Sequence, residues 1–249
     1  MSRHKKKHLL FLFAVIFYGC TESNLTFHSG VNPSKGNLEL VKTFGGSKND
    51  VAKSVISTVD GGFAVLGYTQ SLDGDITDKA TENYDFWMLK FNSEAQLEWN
   101  KTYGGSGDER GSSIIETSDG GYALLGYSDS SDGDVSSNNG NRDFWLVKIN
   151  ASGGVSWQKS FGYEGLDEGV SIIETSDNHL MLSGVLDVTA SGGEGNQGRF
   201  STRHAGGDYW SIKITPTGDI VWSRFYGGTF TDSPTGIKET LNDGLISVG

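Results

Sequence analysis

The sequence predicts an all-β fold: a β-propeller-like repeat of four-stranded antiparallel blades, incomplete, with three blades and part of a fourth in an open arc. Three observations predict it. An aromatic-Gly pair recurs at Phe44-Gly45, Tyr103-Gly104, Phe161-Gly162 and Tyr226-Gly227, in steps of 59, 58 and 65 residues. All six tryptophans fall into pairs 12 residues apart, at Trp87 and Trp99, Trp145 and Trp157, and Trp210 and Trp222. The 36 glycines, only 3 prolines and 28 aromatic residues (6 Trp, 9 Tyr, 13 Phe) suit a turn-rich β chain and leave no long helix-forming run.

The first residues are set apart from the fold. Arg3, Lys5, Lys6 and Lys7 precede an unbroken apolar run, Leu9 to Tyr18, too short to span a bilayer but of the length of a signal-peptide core. Gly19-Cys20 follows, so residues 1–19 read as a signal peptide. Thr21 to Asn37 is polar and aperiodic, and residues 20–37 read as a tether. The chain's formal charge is −11; loss of the leader leaves 16 Lys plus Arg against 31 Asp plus Glu, or −15. Such a surface repels nucleic acid and anionic headgroups.

Residues 38–249 carry the repeat, in units of about 45–104, 105–162, 163–227 and 228–249. Six residues after each aromatic stands an acid, Asp50, Glu109, Asp167 or Asp232. A β-prone run then ends at Thr58, Thr117, Thr175 or Thr240. A turn follows: Asp60-Gly61-Gly62, Asp119-Gly120-Gly121, Asp177-Asn178, or Asn242-Asp243-Gly244, residue types that tolerate positive φ. Seven residues beyond each turn's first residue sits Gly67, Gly126, Gly184 or Gly249. The first tryptophan of each pair lies in Asp85-Phe86-Trp87, Asp143-Phe144-Trp145 or Asp208-Tyr209-Trp210, followed by alternating apolar positions. Strands are expected at about 52–58, 62–69, 85–92 and 97–104, and likewise in later units. A small sheet apolar on both faces needs like neighbours, which radial stacking supplies. A parallel β-helix fits less well, because its coils are shorter than this period and lack hairpins.

Leu38 to Phe44 aligns with a fourth strand, as though the chain's start completed its last blade. The last unit stops at Gly249, within its second strand, which predicts a C-terminally truncated piece of a longer protein.

These residues resemble the bacterial secreted β-propeller repeats of the SBBP type, and repeat lipoproteins common in the Bacteroidetes. The Gly19-Cys20 ending likewise resembles a bacterial lipobox, although Phe17 and Tyr18 depart from the usual residues. The lipobox resemblance implies lipidation of Cys20, the only cysteine, and an outer-membrane location. The repeat resemblance implies a fold and a surface binding or scaffold role, with no shared activity.

Candidate chemistry lies on the face that receives the strand 2–3 loops, where Gly67 to Asp85, Gly126 to Asp143 and Gly184 to Asp208 span 18, 17 and 24 residues. Asp73, Asp75 and Asp78 in the first loop, Asp129, Asp132 and Asp134 in the second, and Asp187 and Glu194 in the third make it acidic. Paired aspartates around a glycine could present oxygens to Ca²⁺; the competing reading is an Asx turn, and the third loop lacks the pair. The repeated acids Asp50, Glu109, Asp167 and Asp232 are expected to accept backbone N–H groups between blades, as are Asp85, Asp143 and Asp208, rather than to form a cation-binding collar. The repeated tryptophans are expected to pack between blades rather than to bind sugar. Symmetry is broken by His179 and by Arg199, Arg203 and His204, which could meet an anionic ligand. No nucleophile elbow, zinc motif or phosphate loop occurs. The sequence therefore favours a non-enzymatic cell-envelope module with a protein or glycan partner. A glycan-active hydrolase or lyase fragment and a structural spacer are the alternatives.

Overall fold

The computed structural model describes residues 41–187, 207–227, 231–242 and 244–249. Among these there is no helix, and three four-stranded antiparallel meanders follow one another. The first blade comprises β1 (Asp50–Ser57), β2 (Phe63–Thr69), β3 (Asp85–Phe91) and β4 (Leu97–Tyr103). The second comprises β5 (Glu109–Glu116), β6 (Tyr122–Ser128), β7 (Asp143–Ile149) and β8 (Val155–Phe161). The third comprises β9 (Glu168–Glu174), β10 (Leu180–Asp187), β11 (Gly207–Ile214) and β12 (Ile220–Tyr226), and a two-stranded sheet of β13 (Gly236–Glu239) and β14 (Leu245–Val248) begins a fourth. Strand bounds fall within two residues of the sequence expectation in the first blade.

The first strands β1, β5, β9 and β13 neighbour one another in turn, as the innermost strands of a propeller do, and no sheet closes into a barrel. The result is an arc of propeller-like blades. Every residue of β3 and of β7 is buried, whereas β4 and β8 are largely half-exposed and β12 is more exposed still.

The repeat signature has a packing cause. At each of the two junctions between complete blades, the aromatic of one Asp-aromatic-Trp motif faces the following blade and meets that blade's tryptophan. Phe86 meets Trp145 with ring centroids 4.7 Å apart, and Phe144 meets Trp210 at 4.9 Å. Each indole N–H is held by a strand-4 side chain: Trp87 Nε1 donates to Asn100, Trp145 to Gln158 and Trp210 to Ser223. Trp145 and Trp210 are blade-to-blade packing, while Trp87 packs with Ile76, Leu89 and Phe91 on the outer face of the first blade.

The strand-2 glycine makes that packing fit. The first strand of each blade carries a bulge opposite it, between Ala52 and Ser54 in β1 and between Gly111 and Ser113 in β5, with a matching shift at Gly184. A Cβ at Gly126 would stand 2.0 Å from Arg110 O and 2.8 Å from the Phe86 ring; at Gly184 it would meet Glu168 O at 2.1 Å and Phe144 at 2.4 Å. The hairpin turns take positive φ at Gly61, Gly120 and Asn178, which explains why Asn replaces Gly in the third copy.

One expectation is corrected. Residues 41–46 form no strand, because no described strand lies beside them to pair with. Residues 42 and 44 keep face contacts of a fourth strand. Phe44 lies edge-on to Phe91 at 5.1 Å, and Lys42 Nζ donates to Ala95 O. In the next blade, Tyr103 Oη donates to Gly153 O in the corresponding place, beside Lys101.

Candidate functional site

The end of the blades where the strand 2–3 loops and the blade-to-blade links emerge gathers the sequence-predicted acidic residues that the structure describes. Their carboxylates are taken up by the backbone of the aromatic-Gly-Gly-Ser links. Asp73 Oδ1 accepts Ser47 N–H at 2.7 Å, and Asp132 Oδ1 accepts Ser106 N–H at 2.7 Å. Asp75 Oδ2 accepts from Gly45 at 2.9 Å, and Asp134 Oδ2 from Gly104 at 3.2 Å. Asp129 accepts from Asp108 N–H. Positive φ at Gly74 (68°) and Gly133 (63°) lets both aspartates of each pair turn toward one link. Asp78 instead holds Thr102 through its N–H and hydroxyl. These hydrogen bonds make the loop aspartates Asx-type braces of the links; among the described residues no group of three His, Cys, Asp or Glu converges.

The acids ahead of each first strand do the same one layer deeper. Asp50 Oδ2 accepts Gly46 N–H at 2.7 Å, Glu109 Oε2 accepts Gly105 at 2.8 Å, and Asp167 Oδ2 accepts Tyr163 at 2.7 Å. Hydroxyls complete the first two: Thr69 and Ser71 on Asp50, Ser128 on Glu109. On Asp167 the second oxygen accepts Asp187 N–H instead.

From the second blade on, each of these acids adjoins the aspartate at the start of strand 3 of the preceding blade. The main chain fixes the pairing: Glu109 N–H donates to Tyr84 O, Asp167 N–H to Arg142 O and Asp232 N–H to Gly207 O. The link glycine separates the two carboxyls, since a Cβ at Gly104 would lie 2.6 Å from Glu109 and 2.8 Å from Asp85 oxygens, and one at Gly162 2.3 Å from Asp143 and 2.8 Å from Asp167 oxygens. Burial therefore raises all four acids. Asp85 is pushed up to about 6 even though Lys79 lowers it, and Asp167 to about 6, with the Asp143 charge adding to burial; Glu109 and Asp143 rise as well.

Here a second expectation is corrected. Asp85 holds side chains, accepting Lys79 Nζ and Asn83 Nδ2 at 3.0 Å each, because the first loop carries a lysine where it turns inward. Asp143 does accept a backbone group, Asn139 N–H at 2.7 Å, through Oδ2. Its Oδ1 is buried without a hydrogen-bond partner.

The sequence reading passed over a cationic and aromatic cluster on this same face. The Arg110 guanidinium lies 4.2 Å from the Tyr84 ring centroid and 5.3 Å from that of Tyr68, and Arg142 lies 4.5 Å from that of Tyr127. Arg110 pairs with Asp108 and Arg142 with Glu168. Neither arginine recurs at its repeat position, which was the available signal: Val51 and Glu168 replace Arg110, and Tyr84 and Gly207 replace Arg142. Arg199, Arg203, His204, Glu194 and Cys20 lie outside the described residues. His179 sits at its hairpin tip, against Asp177.

A cleft of about 770 Å³ opens between the third blade and the β13–β14 hairpin, lined by Tyr209, Trp222, Arg224, Tyr226, Asp232 and Ile237 among others. Tyr209 is the counterpart of Phe86 and Phe144, and no described tryptophan covers it.

Fold and site together define a propeller-like repeat arc whose repeated acids brace its own links. No known protein family matches the chain, and no curated protein does. Among solved structures it is similar to a protein of unknown function from Bacteroides caccae, at 11% identity and a TM-score of 0.42, over 78% of this chain and 51% of that one. The chain thus spans about half the length of that protein.

Proposed function

We propose that the chain is a non-enzymatic binding or scaffold module of the bacterial cell envelope, tethered through lipidated Cys20 at the outer membrane. It presents the loop face of its blades to a protein or glycan partner. One observation carries this reading: the repeated carboxylates of that face are committed to backbone and side-chain partners within the molecule, while the two arginines that break the repeat there, Arg110 and Arg142, lie over the rings of Tyr68, Tyr84 and Tyr127, the cation–aromatic pairing found at binding surfaces. Catalytic acid–base pairs would depart from repeat symmetry, and the acids here obey it. A charge of −11 opposes a nucleic-acid partner.

Binding to arrayed envelope glycans and cross-linking to surface proteins of a Bacteroidetes host test the reading. Arg110→Ala is expected to lower capture at least tenfold at unchanged melting midpoint; release of reducing ends from those glycans would refute it. Radiolabelled palmitate should enter the wild type and not Cys20→Ala.

A further inference from the structure

The second blade junction differs from the first in a way that points to a ligand. At the first, a cation sits against Asp85: Lys79, its side chain 0% exposed, donates to Asp85 Oδ1, Asn83 Oδ1 and Thr81 O at 3.0, 3.1 and 2.6 Å. At the second, Asp143 and Asp167 are both 0% exposed and flank Gly162 in the same manner. Counted from the shared Asp-Gly-Asp turn, Lys79 is replaced by Asn138, whose amide donates instead to Ser128 O. The nearest arginine is engaged elsewhere, Arg142 pairing with Glu168 at 2.7 Å and covering Tyr127. Asp143 Oδ1, buried and without a hydrogen-bond partner, is aimed at the place beside Gly162 where Asp167 Oδ2 also lies. Two buried carboxylates with no balancing charge call for one.

We infer that the second junction binds a hard divalent cation, Ca²⁺ in the first instance, between Asp143 Oδ1 and Asp167 Oδ2, in the role that the Lys79 ammonium fills at the first junction. An all-oxygen donor set with two negative charges suits Ca²⁺, which accepts carboxylates together with carbonyl oxygens and water in flexible geometry. Because no third acidic, His or Cys side chain joins them among the described residues, the remaining ligands are of those neutral kinds. This site is separate from the Asp132-Gly133-Asp134 turn, whose carboxylates hold Ser106 and Gly104. It does not depend on the binding-module reading.

The test is calorimetric titration of the chelator-stripped full chain with Ca²⁺, alongside melting curves. One ion is expected per chain, with a rise in melting midpoint. Asp143→Asn should abolish both while melting, in chelator, no lower than the wild type. Asn138→Lys, which supplies an ammonium, should weaken binding at least tenfold with both carboxylates intact. Asp132→Asn with Asp134→Asn should leave binding unchanged. No binding by the wild type at millimolar Ca²⁺, binding retained in Asp143→Asn, or binding lost only in the Asp132 and Asp134 double variant overturns the inference. If Asp143→Asn does not fold, retention in Asn138→Lys overturns it.

Discussion

The first and second blade junctions share one packing plan and differ in their charge. In both, an aromatic from one blade enters the next over a strand-2 glycine and meets a buried tryptophan. In both, a strand-3 aspartate and the acid of the following blade stand on either side of a link glycine. The first junction sets Lys79 against its strand-3 aspartate, and the second has no lysine there. The difference separates what the repeat must keep in order to stack from what it leaves open to variation. Apolar complementarity is common to both junctions, while the polar solution is local.

Breaking the shared part should therefore hurt both junctions alike and most of all. Trp145, 0% exposed, and Trp210, 3% exposed, each seal a junction. Trp145→Ala and Trp210→Ala are each expected to lose about 4 kcal/mol, by denaturant titration. Unequal losses, with one variant near neutral, would show that the junctions do not share their packing.

The next largest effect should fall on the part that differs. Lys79→Met leaves Asp85 buried without its cation and is expected to lose about 3 kcal/mol at pH 7. Asp143→Asn, at the junction without a lysine, removes a buried charge and is expected to gain about 1 kcal/mol in chelator. The opposite signs are the point of the comparison. If both variants were destabilised equally, the two junctions would be electrostatically alike.

The legibility of the sequence divides along the same line. The strands, the hairpin turns and the packing tryptophans could be read because they obey period, spacing and φ requirements that every copy must satisfy: Gly61, Gly120 and Asn178 are one backbone demand met by two residue types. That Asp50, Glu109 and Asp167 hold the link backbone followed from their constant offset. The pairing of Asp85 with Glu109 and of Asp143 with Asp167 could not be read: it joins residues a constant 24 apart across a hairpin and a blade-to-blade link, and spacing alone does not say that two side chains meet. Lys79 carried no signal, because nothing in its sequence neighbours reveals that its side chain turns inward. Arg110 and Arg142 escaped for the opposite reason: a search tuned to what repeats passes over what occurs once. The fourth-strand pattern at Leu38 to Phe44 was legible, but a pattern does not supply a partner to pair with.

A smaller effect, and one that sums both junctions, is the response to pH. Asp85 and Asp167 are raised to about 6 from an ordinary 3.8, so the folded state holds protons there that the unfolded state releases. Their contribution is complete below pH 3.8 and is lost as pH rises through 6. On the opposite face, Asp60 and Asp119 are lowered to about 2. The Lys90 hydrogen bond does this at Asp60, and at Asp119 the bonds from Lys148 and Thr117 outweigh a burial effect that acts the other way. Their contribution is present above 3.8 and lost as pH falls through 2. Stability of the chelator-stripped protein should therefore peak near pH 4 and decline toward pH 7, by on the order of 1–2 kcal/mol once solvent screening is allowed for. Asp167→Asn should flatten that decline. A profile that rises steadily from pH 4 to 7 would mean that neither junction holds its carboxyls in a raised state.

The smallest effect expected belongs to the exposed loop aspartates, and its pattern matters more than its size. Asp132 Oδ1 accepts Ser106 N–H at 2.7 Å, as Asp73 accepts Ser47 in the first blade. An Asn side chain keeps an acceptor oxygen at that place, whereas Ala removes it. Asp132→Ala should then lose at most about 1 kcal/mol, and Asp132→Asn close to nothing. A brace of this kind needs an oxygen but no charge, while a cation site needs the charge itself. Equal losses in the two variants, restored in the wild type by Ca²⁺, would move the ion from the buried junction to the surface turn. The predicted inequality keeps it at Asp143 and Asp167.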